Sequence, residues 1–144
     1  MNISDNTILL SQQCNAPQSR VWDALVHPQI WWGKDIVLEP EIGGVFRDPW
    51  KDANGTEKLT EGIVTDFVAP KRLSIQLADS DWDFETLVTF VIKPDADASV
   101  VELTHENWNG APDTKRAELI AAHTDGWTQH LNNLATCATR MDMN

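Results

Sequence analysis

Residues 113–138 carry an apolar stripe at helical spacing, and this stripe constrains the fold more than any other part of the chain. A stripe this wide has to lie against an apolar partner. Pro112 and Asp113 suit a helix start, as a breaker and a capping residue, and we expect Gly126 to mark a point where the partner surface comes close. At about 100° per residue, the side that faces the partner collects Leu119, Ile120, His123, Trp127, His130, Leu131, Leu134 and Ala138.

The residues before this helix alternate with a period of two, which is typical of half-buried strands. We predict strands at residues 7–14, 35–39, 44–48, 57–68, 72–77, 85–93 and 99–107, with two short helical segments after the first strand. Asn54-Gly55 is the clearest hairpin signal. The predicted class is α+β, with a curved seven-stranded antiparallel sheet wrapped around the C-terminal helix. The two faces of residues 57–68 are too alike to tell which one is the inner face.

The composition excludes several classes of partner. A net charge of −11, from 22 acidic and 11 basic residues, would repel nucleic acids and anionic membranes. Cys14 and Cys137 have no metal-ligand spacing and are interpreted as free thiols of a reducing cytoplasm. Residues 1–10 have no basic region and too short an apolar run for a signal peptide. We therefore expect one cytoplasmic domain over residues 1–144.

The order of elements and several short motifs resemble a known superfamily. The order is that of the START-like, or Bet v 1-like (SRPBCC), helix-grip proteins, and the chain is similar to the branch named after the activator of the heat-shock-protein ATPase. The resemblance implies a cavity between sheet and long helix that often takes an apolar small molecule, and it supplies no catalytic motif. The matching motifs are Ala16-Pro17 with Val21-Trp22, Trp31-Trp32-Gly33, Ile42-Gly43-Gly44-Val45-Phe46, Pro70-Lys71-Arg72-Leu73, Leu103-Thr104-His105, and Gly126-Trp127 with Leu131 and Leu134.

Three histidines are predicted to face the interior: His105 on the last strand, and His123 and His130 on the long helix. His123 and His130 lie two turns apart, about 10.5 Å along the axis, which is too far to share one metal ion. Each is either a hydrogen-bonded core histidine or a group that orients a polar part of a ligand. His105 is the preferred candidate for the second role.

The seven tryptophans, in a chain without tyrosine, fall into two groups. Trp22 and Trp127 occupy helix positions and are interpreted as core packing. The other five lie at element ends or in loops, where they form either an aromatic mouth for a flat apolar ligand or a plug for the open end of the sheet. This second group is Trp31, Trp32, Trp50, Trp82 and Trp108.

Other candidate motifs have simpler interpretations. Gly43-Gly44 is not followed by a helix or a Lys-Ser/Thr pair, so it is a turn or bulge and not a phosphate loop. Asp79, Asp81 and Asp83 are interpreted as a solvated turn, because a calcium loop needs another spacing.

Three functions are compatible with these features. The first is binding of a small, largely apolar ligand, the second is a protein-interaction module with a chaperone as a possible partner, and the third is a cyclase- or dehydratase-like enzyme with a histidine acid/base. A homodimer is possible. No catalytic residue, metal ligand or cofactor is predicted. The residues predicted to contact the ligand are His105, His123, Trp127, His130, Phe90, Leu103, Phe46 and Trp31.

Overall fold

The structure, a computed structural model, describes residues 7–142. The predictions for residues 1–6, which include most of the segment tested for a signal peptide, lie outside this range, as do residues 143–144. The elements are, in order, β1 (Ile8–Cys14), α1 (Gln18–Leu25), β2 (Val37–Leu38), β3 (Val45–Lys51), β4 (Glu57–Val68), β5 (Arg72–Asp79), β6 (Thr86–Asp95), β7 (Ala98–Glu106) and α2 (Arg116–Asp142), with short 3-10 turns at Pro28–Ile30 and Trp108–Gly110.

The seven strands form a single antiparallel sheet in the order β1-β7-β6-β5-β4-β3-β2. Strands β2 to β7 pair with their sequence neighbours, and β1 returns to pair with β7 along its whole length. This sheet, the long C-terminal helix and the short helix after β1 confirm the predicted α+β helix-grip architecture. The second predicted helical segment is only a 3-10 turn, because Pro28 begins it and the chain leaves helical geometry at Trp31.

A β-bulge in β4 explains why neither face of this strand could be chosen from the sequence. The register with β5 pairs Val64 with Ile75 and then Asp66 with Ser74, so Thr65 is an extra residue. Val64 is buried on one side of the bulge, and Phe67 packs against the core on the other. The inner face therefore takes one residue from each of the two predicted sets.

The two halves of α2 have different surroundings. In the second half, Leu131, Leu134 and Ala138 are buried, and the helix packs mainly against α1 and β1. In the first half the helix stands away from the sheet. The prediction for Gly126 is wrong, because a Cβ at this position would meet no atom within 4 Å. None of the helices within residues 7–142 is long and apolar enough to cross a membrane.

Candidate functional site

A cavity of about 520 Å³ lies between the first half of α2 and the inner face of the sheet. The strands contribute Asp48, Thr60, Leu77, Asp79, Thr86 and His105 to its wall. Helix α2 contributes Ala122, His123, Gly126, Trp127 and His130, and loops add Trp32 and Trp82. At the rim, Trp50, Lys34 and Asp35 are exposed to solvent.

His105, a buried residue of the cavity wall, belongs to a hydrogen-bonded chain that joins α2 to the sheet. The indole Nε1 of Trp127 donates to His105 Nδ1 over 2.9 Å, and His105 Nε2 lies 2.7 Å from Thr86 Oγ1. The Thr86 hydroxyl in turn donates to the carbonyl of Leu77. We call these four residues the His105 chain.

The donors and acceptors of the His105 chain fix the tautomer of its histidine. An indole nitrogen is only a donor, so His105 Nδ1 has to be an unprotonated acceptor and Nε2 carries the proton. Burial, and then the proximity of His123, lower the pKa of His105 to about 3. Both ring nitrogens are thus occupied by protein groups in a neutral imidazole. This arrangement leaves His105 no nitrogen with which to orient a ligand or transfer a proton at neutral pH.

The two helix histidines differ from His105 because each has a nitrogen with no recorded protein partner. His123 Nδ1 donates to the carbonyl of Leu119 one turn earlier, and its ring lies against Trp82 and Trp108. His130 Nδ1 is buried without any hydrogen-bond partner in the structure, and burial lowers the pKa of this imidazole. These two residues are the cavity imidazoles with a nitrogen that no protein group occupies, and in His130 that nitrogen is closed off from solvent.

A row of polar side chains crosses three neighbouring strands on the sheet side of the cavity. The strand register places Thr60 opposite Asp48 on one side and opposite Asp79 on the other. Thr60 Oγ1 donates to Asp79 Oδ1 over 2.5 Å and accepts from Trp50 Nε1 over 3.0 Å. We call these three residues, Asp48, Thr60 and Asp79, the acidic row.

Both carboxyl groups of the acidic row have perturbed titration. Burial and the neighbouring charge of Asp79 raise the pKa of Asp48 to about 6. Burial also raises the pKa of Asp79, against the opposing effects of the Thr60 hydroxyl and of His123. The interpretation of Asp79 as part of a solvated turn is wrong. Strand β5 runs two residues beyond Leu77, so Asp79 faces inward like Leu77, whereas Asp81 and Asp83 are exposed.

The five loop tryptophans occupy two different environments in the structure. Trp32, Trp50 and Trp82 line the cavity. Trp31 and Trp108 are buried in the core, and Trp108 donates its indole proton to the carbonyl of His105. Three of the five are therefore placed where an aromatic mouth would be, and their contact with a ligand stays a prediction; the other two belong to the core.

Half of the predicted site residues line the cavity. His105, His123, Trp127 and His130 are in its wall, and their contact with a ligand stays a prediction. The other four, Phe90, Leu103, Phe46 and Trp31, are buried in the hydrophobic core and are not in the wall. Trp31 was predicted in a loop, and the other three on strands. Trp32 packs against Phe46 and Phe90, and Trp31 also packs against Phe90, so these aromatic rings fill the space in front of that part of the sheet.

Sequence reasoning missed most of the polar wall, although a signal existed for part of it. Thr86 is two residues before Val88 and shares its face, and Asp48 follows Phe46 in the same way. Continuing the predicted alternation by one step would have found both. Trp32 had no such signal, because it lies in an irregular loop between a 3-10 turn and β2.

A second surface depression was considered as a site, and so was metal binding by clustered side chains. A second depression, of about 680 Å³, lies on the other side of Trp50 and is lined mainly by exposed charged residues, including Arg47, Lys51 and Glu57. Within residues 7–142, no group of three or more His, Cys, Asp or Glu side chains is arranged to hold a metal ion.

Solved structures with the same architecture are numerous. A protein from Mesorhizobium loti is 22% identical, with 93% of this chain and 97% of that chain covered and a TM-score of 0.74. A protein from Nitrosomonas europaea is 14% identical, with 98% and 99% covered and a TM-score of 0.77. The Aha1 dimer from Colwellia psychrerythraea is 21% identical, with 90% and 92% covered and a TM-score of 0.71. At these identities the similarity establishes the fold alone.

The fold and the cavity together define a helix-grip protein of the class that commonly binds hydrophobic ligands. The family model described as "Activator of Hsp90 ATPase homolog 1-like protein" matches residues 15–139, so the chain belongs to this family. The family assignment confirms the resemblance drawn from the sequence. A search of curated proteins finds no match.

Proposed function

We propose that this protein binds a small, flat and largely apolar molecule in the cavity between α2 and the sheet. The observation that carries the proposal is a cavity of about 520 Å³ with tryptophan walls. Ligand sites in proteins usually have volumes of about 300–1,000 Å³, with mostly apolar walls and a few polar groups that fix orientation. Trp32, Trp82 and Trp127 supply flat apolar faces, and His123, His130 and the acidic row supply polar groups.

The unpartnered nitrogen of His130 supports the same proposal. A buried polar atom without a hydrogen bond costs about 1–3 kcal/mol. His130 Nδ1 is such an atom, and its ring lies against Trp32 and Trp127 beside the cavity. This nitrogen is closed off from the cavity by its neighbours, so a ligand hydroxyl or amine has to displace a surrounding ring to reach it, and the contact would then remove the cost. We therefore expect the ligand to carry at least one polar group.

A variant that fills the cavity tests the proposal. Gly126 lines the cavity, and the space around its Cα is open. We expect Gly126→Leu to fold and to lose most of its affinity for a neutral probe such as 1-naphthylmethanol, measured by isothermal titration calorimetry. Ala121→Leu, on an exposed position of the same helix outside the cavity wall, is the matched control and should bind like the parent protein.

The outcome separates cavity binding from surface adsorption. If Gly126→Leu and Ala121→Leu bind the probe equally well, the molecule does not enter the cavity and the proposal fails. Absence of heat with every member of a panel of flat neutral compounds would also refute it. His123→Ala and His130→Ala should each weaken a hydroxyl-bearing probe more than its hydrocarbon analogue.

A second candidate function, docking of a second copy of the chain, is favoured by a group of exposed aliphatic residues. Val37, Val45 and Ile63 lie on the outer face of β2, β3 and β4, and they are 50%, 41% and 53% exposed. The related Colwellia psychrerythraea protein is a dimer. Ile63→Lys should abolish any dimer seen by sedimentation velocity. A purely monomeric parent protein would leave this face for another partner, such as a chaperone.

A further inference from the structure

The cavity combines aromatic walls with a concentration of negative charge on one side. Asp48 and Asp79 both line it, and their backbones are separated by the single strand that carries Thr60. Two strand spacings amount to about 10 Å, so the two carboxyl groups flank the space directly above Thr60. Trp32, Trp82 and Trp127 line the same cavity.

Among the described residues, no basic side chain forms an ion pair with Asp48 or Asp79. Lys58 on β4 lowers the pKa of Asp79 electrostatically, but it is paired with the exposed Asp81, over 3.2 Å, and not with either carboxyl group of the row. Lys34 is at the exposed rim and forms none of the ion pairs recorded between residues 7 and 142. His123 acts electrostatically on Asp79, but Asp48 has no such partner. Half-buried negative charge without a partner is unfavourable, so a cationic group of a ligand would be attracted to this position.

The aromatic walls fit the same kind of group. A protonated nitrogen close to the face of an indole ring is attracted by the quadrupole of the ring, and tryptophan is the best of the aromatic residues in this role. Four tryptophans, Trp32, Trp50, Trp82 and Trp127, line the cavity together with the two carboxyl groups. A metal ion fits less well, because no cluster of three ligand side chains exists among the described residues.

We propose that the ligand of this cavity is an amine carried on a flat apolar group, with its protonated nitrogen above Thr60 between Asp48 and Asp79. This inference rests on the proposed function and specifies the chemical class of the ligand. The ammonium protons would be donated to the two carboxylates, and the apolar part would lie against Trp32 and Trp127. Such charge-assisted hydrogen bonds are stronger than neutral ones.

Three probes of the same shape and different charge test the proposal. Isothermal titration calorimetry at about pH 7.5 compares 1-naphthylmethylamine, which is cationic, with the neutral 1-naphthylmethanol and the anionic 1-naphthoate. We expect the amine to bind at least about tenfold more tightly than the alcohol, and the carboxylate to bind most weakly. The full chain is used, and each variant is first checked for folding by circular dichroism.

Two variants and a control locate the charge. Asp48→Asn should reduce the preference for the amine, taken as its affinity divided by that of the alcohol, to about threefold or less. Asp79→Asn, in which the amide oxygen can still accept the Thr60 proton, should act in the same direction. Asp81→Asn removes a charge from the exposed, Lys58-paired neighbour outside the cavity and should keep the full preference.

Each result bears on one of the two proposals or on both. Equal affinities for the amine and the alcohol would overturn the inference and leave the proposed function intact. A preference that survives both Asp48→Asn and Asp79→Asn, or that Asp81→Asn removes as effectively, would mean that overall charge attracts the amine and would also overturn the inference. If none of the three probes binds, both proposals fail for ligands of this shape.

Discussion

Replacing Asp48 by asparagine should make the folded protein more stable at neutral pH, although it removes a charge that the ligand is expected to use. Asp48 lies in the cavity wall, half-buried, with no ion pair among the described residues. Asparagine has the same shape and resembles the protonated acid. The substitution therefore removes the ionisation of one side chain and little else.

The raised pKa of Asp48 determines the size and sign of this effect. Its pKa rises from an ordinary value of 3.8 to about 6, so the folded state holds a proton that the unfolded state has already lost between these values. The contribution of Asp48 to stability is therefore most favourable below about pH 4 and declines as the pH rises towards 6. At about 1.4 kcal/mol per pH unit the full difference is about 3 kcal/mol, and solvent screening of a half-exposed group reduces it to about 1–2 kcal/mol.

Urea unfolding of the two proteins at several pH values measures the effect. We expect Asp48→Asn to match the parent protein at about pH 4 and to exceed its free energy of unfolding by about 1–2 kcal/mol at about pH 7.5. Asp81→Asn, which removes an exposed charge paired with Lys58, should change stability by less than about 1 kcal/mol.

The difference between the two pH values is the decisive quantity. A gain of equal size at acid and neutral pH would mean that asparagine packs better at this position and that charge is not involved. A loss of stability at about pH 7.5 would show that the Asp48 carboxylate is stabilised in the fold by a partner, and the reasoning from burial would be wrong.

Three further substitutions test other parts of the structure. Trp127→Phe removes the indole that donates to His105 Nδ1, so it should cost about 1–3 kcal/mol in urea unfolding followed by circular dichroism. A cost below about 0.5 kcal/mol would contradict the His105 chain. Gly126→Ala replaces a glycine within a helix and adds a methyl group that points into open space, so the free energy of unfolding should rise by up to about 1 kcal/mol. A lower melting temperature would contradict the absence of a close neighbour. Gly62→Ala would place its Cβ 2.1 Å from the backbone oxygen of Gln76, so we expect the free energy of unfolding to fall by about 3 kcal/mol or more. A melting temperature equal to that of the parent protein would exclude this contact.

The alternation of apolar and polar residues was sufficient to predict the fold. Strand β4 was predicted with the bounds that the structure has, and His105 of β7 was correctly predicted to face the interior, because an antiparallel sheet with one buried face imposes a period of two. The bulge at Thr65 could not be predicted, since it depends on how β4 pairs with β5 and leaves no local mark.

The cavity was harder to predict than the fold, because its position depends on where the packed side chains leave a space empty. Asp48 and Thr86 lie within predicted strands, but neither was recognised as an inward residue, and Asp79 was placed in a loop beyond the predicted end of its strand. The register that aligns Asp48, Thr60 and Asp79 involves three strands and is visible only in the assembled sheet. The assignment of His105 as ligand-orienting failed to foresee that Trp127 and Thr86 occupy both of its nitrogens.

The unequal burial of the two halves of α2 separates the positions that stabilise the fold from those that shape the cavity. Leu131, Leu134 and Ala138 hold the helix in the core, and changes there endanger folding. Ala122, His123 and Gly126 face an open chamber, and changes there alter what fits. Selection or engineering can therefore change the shape of the cavity through the first half of one helix, while the second half of that helix continues to stabilise the fold.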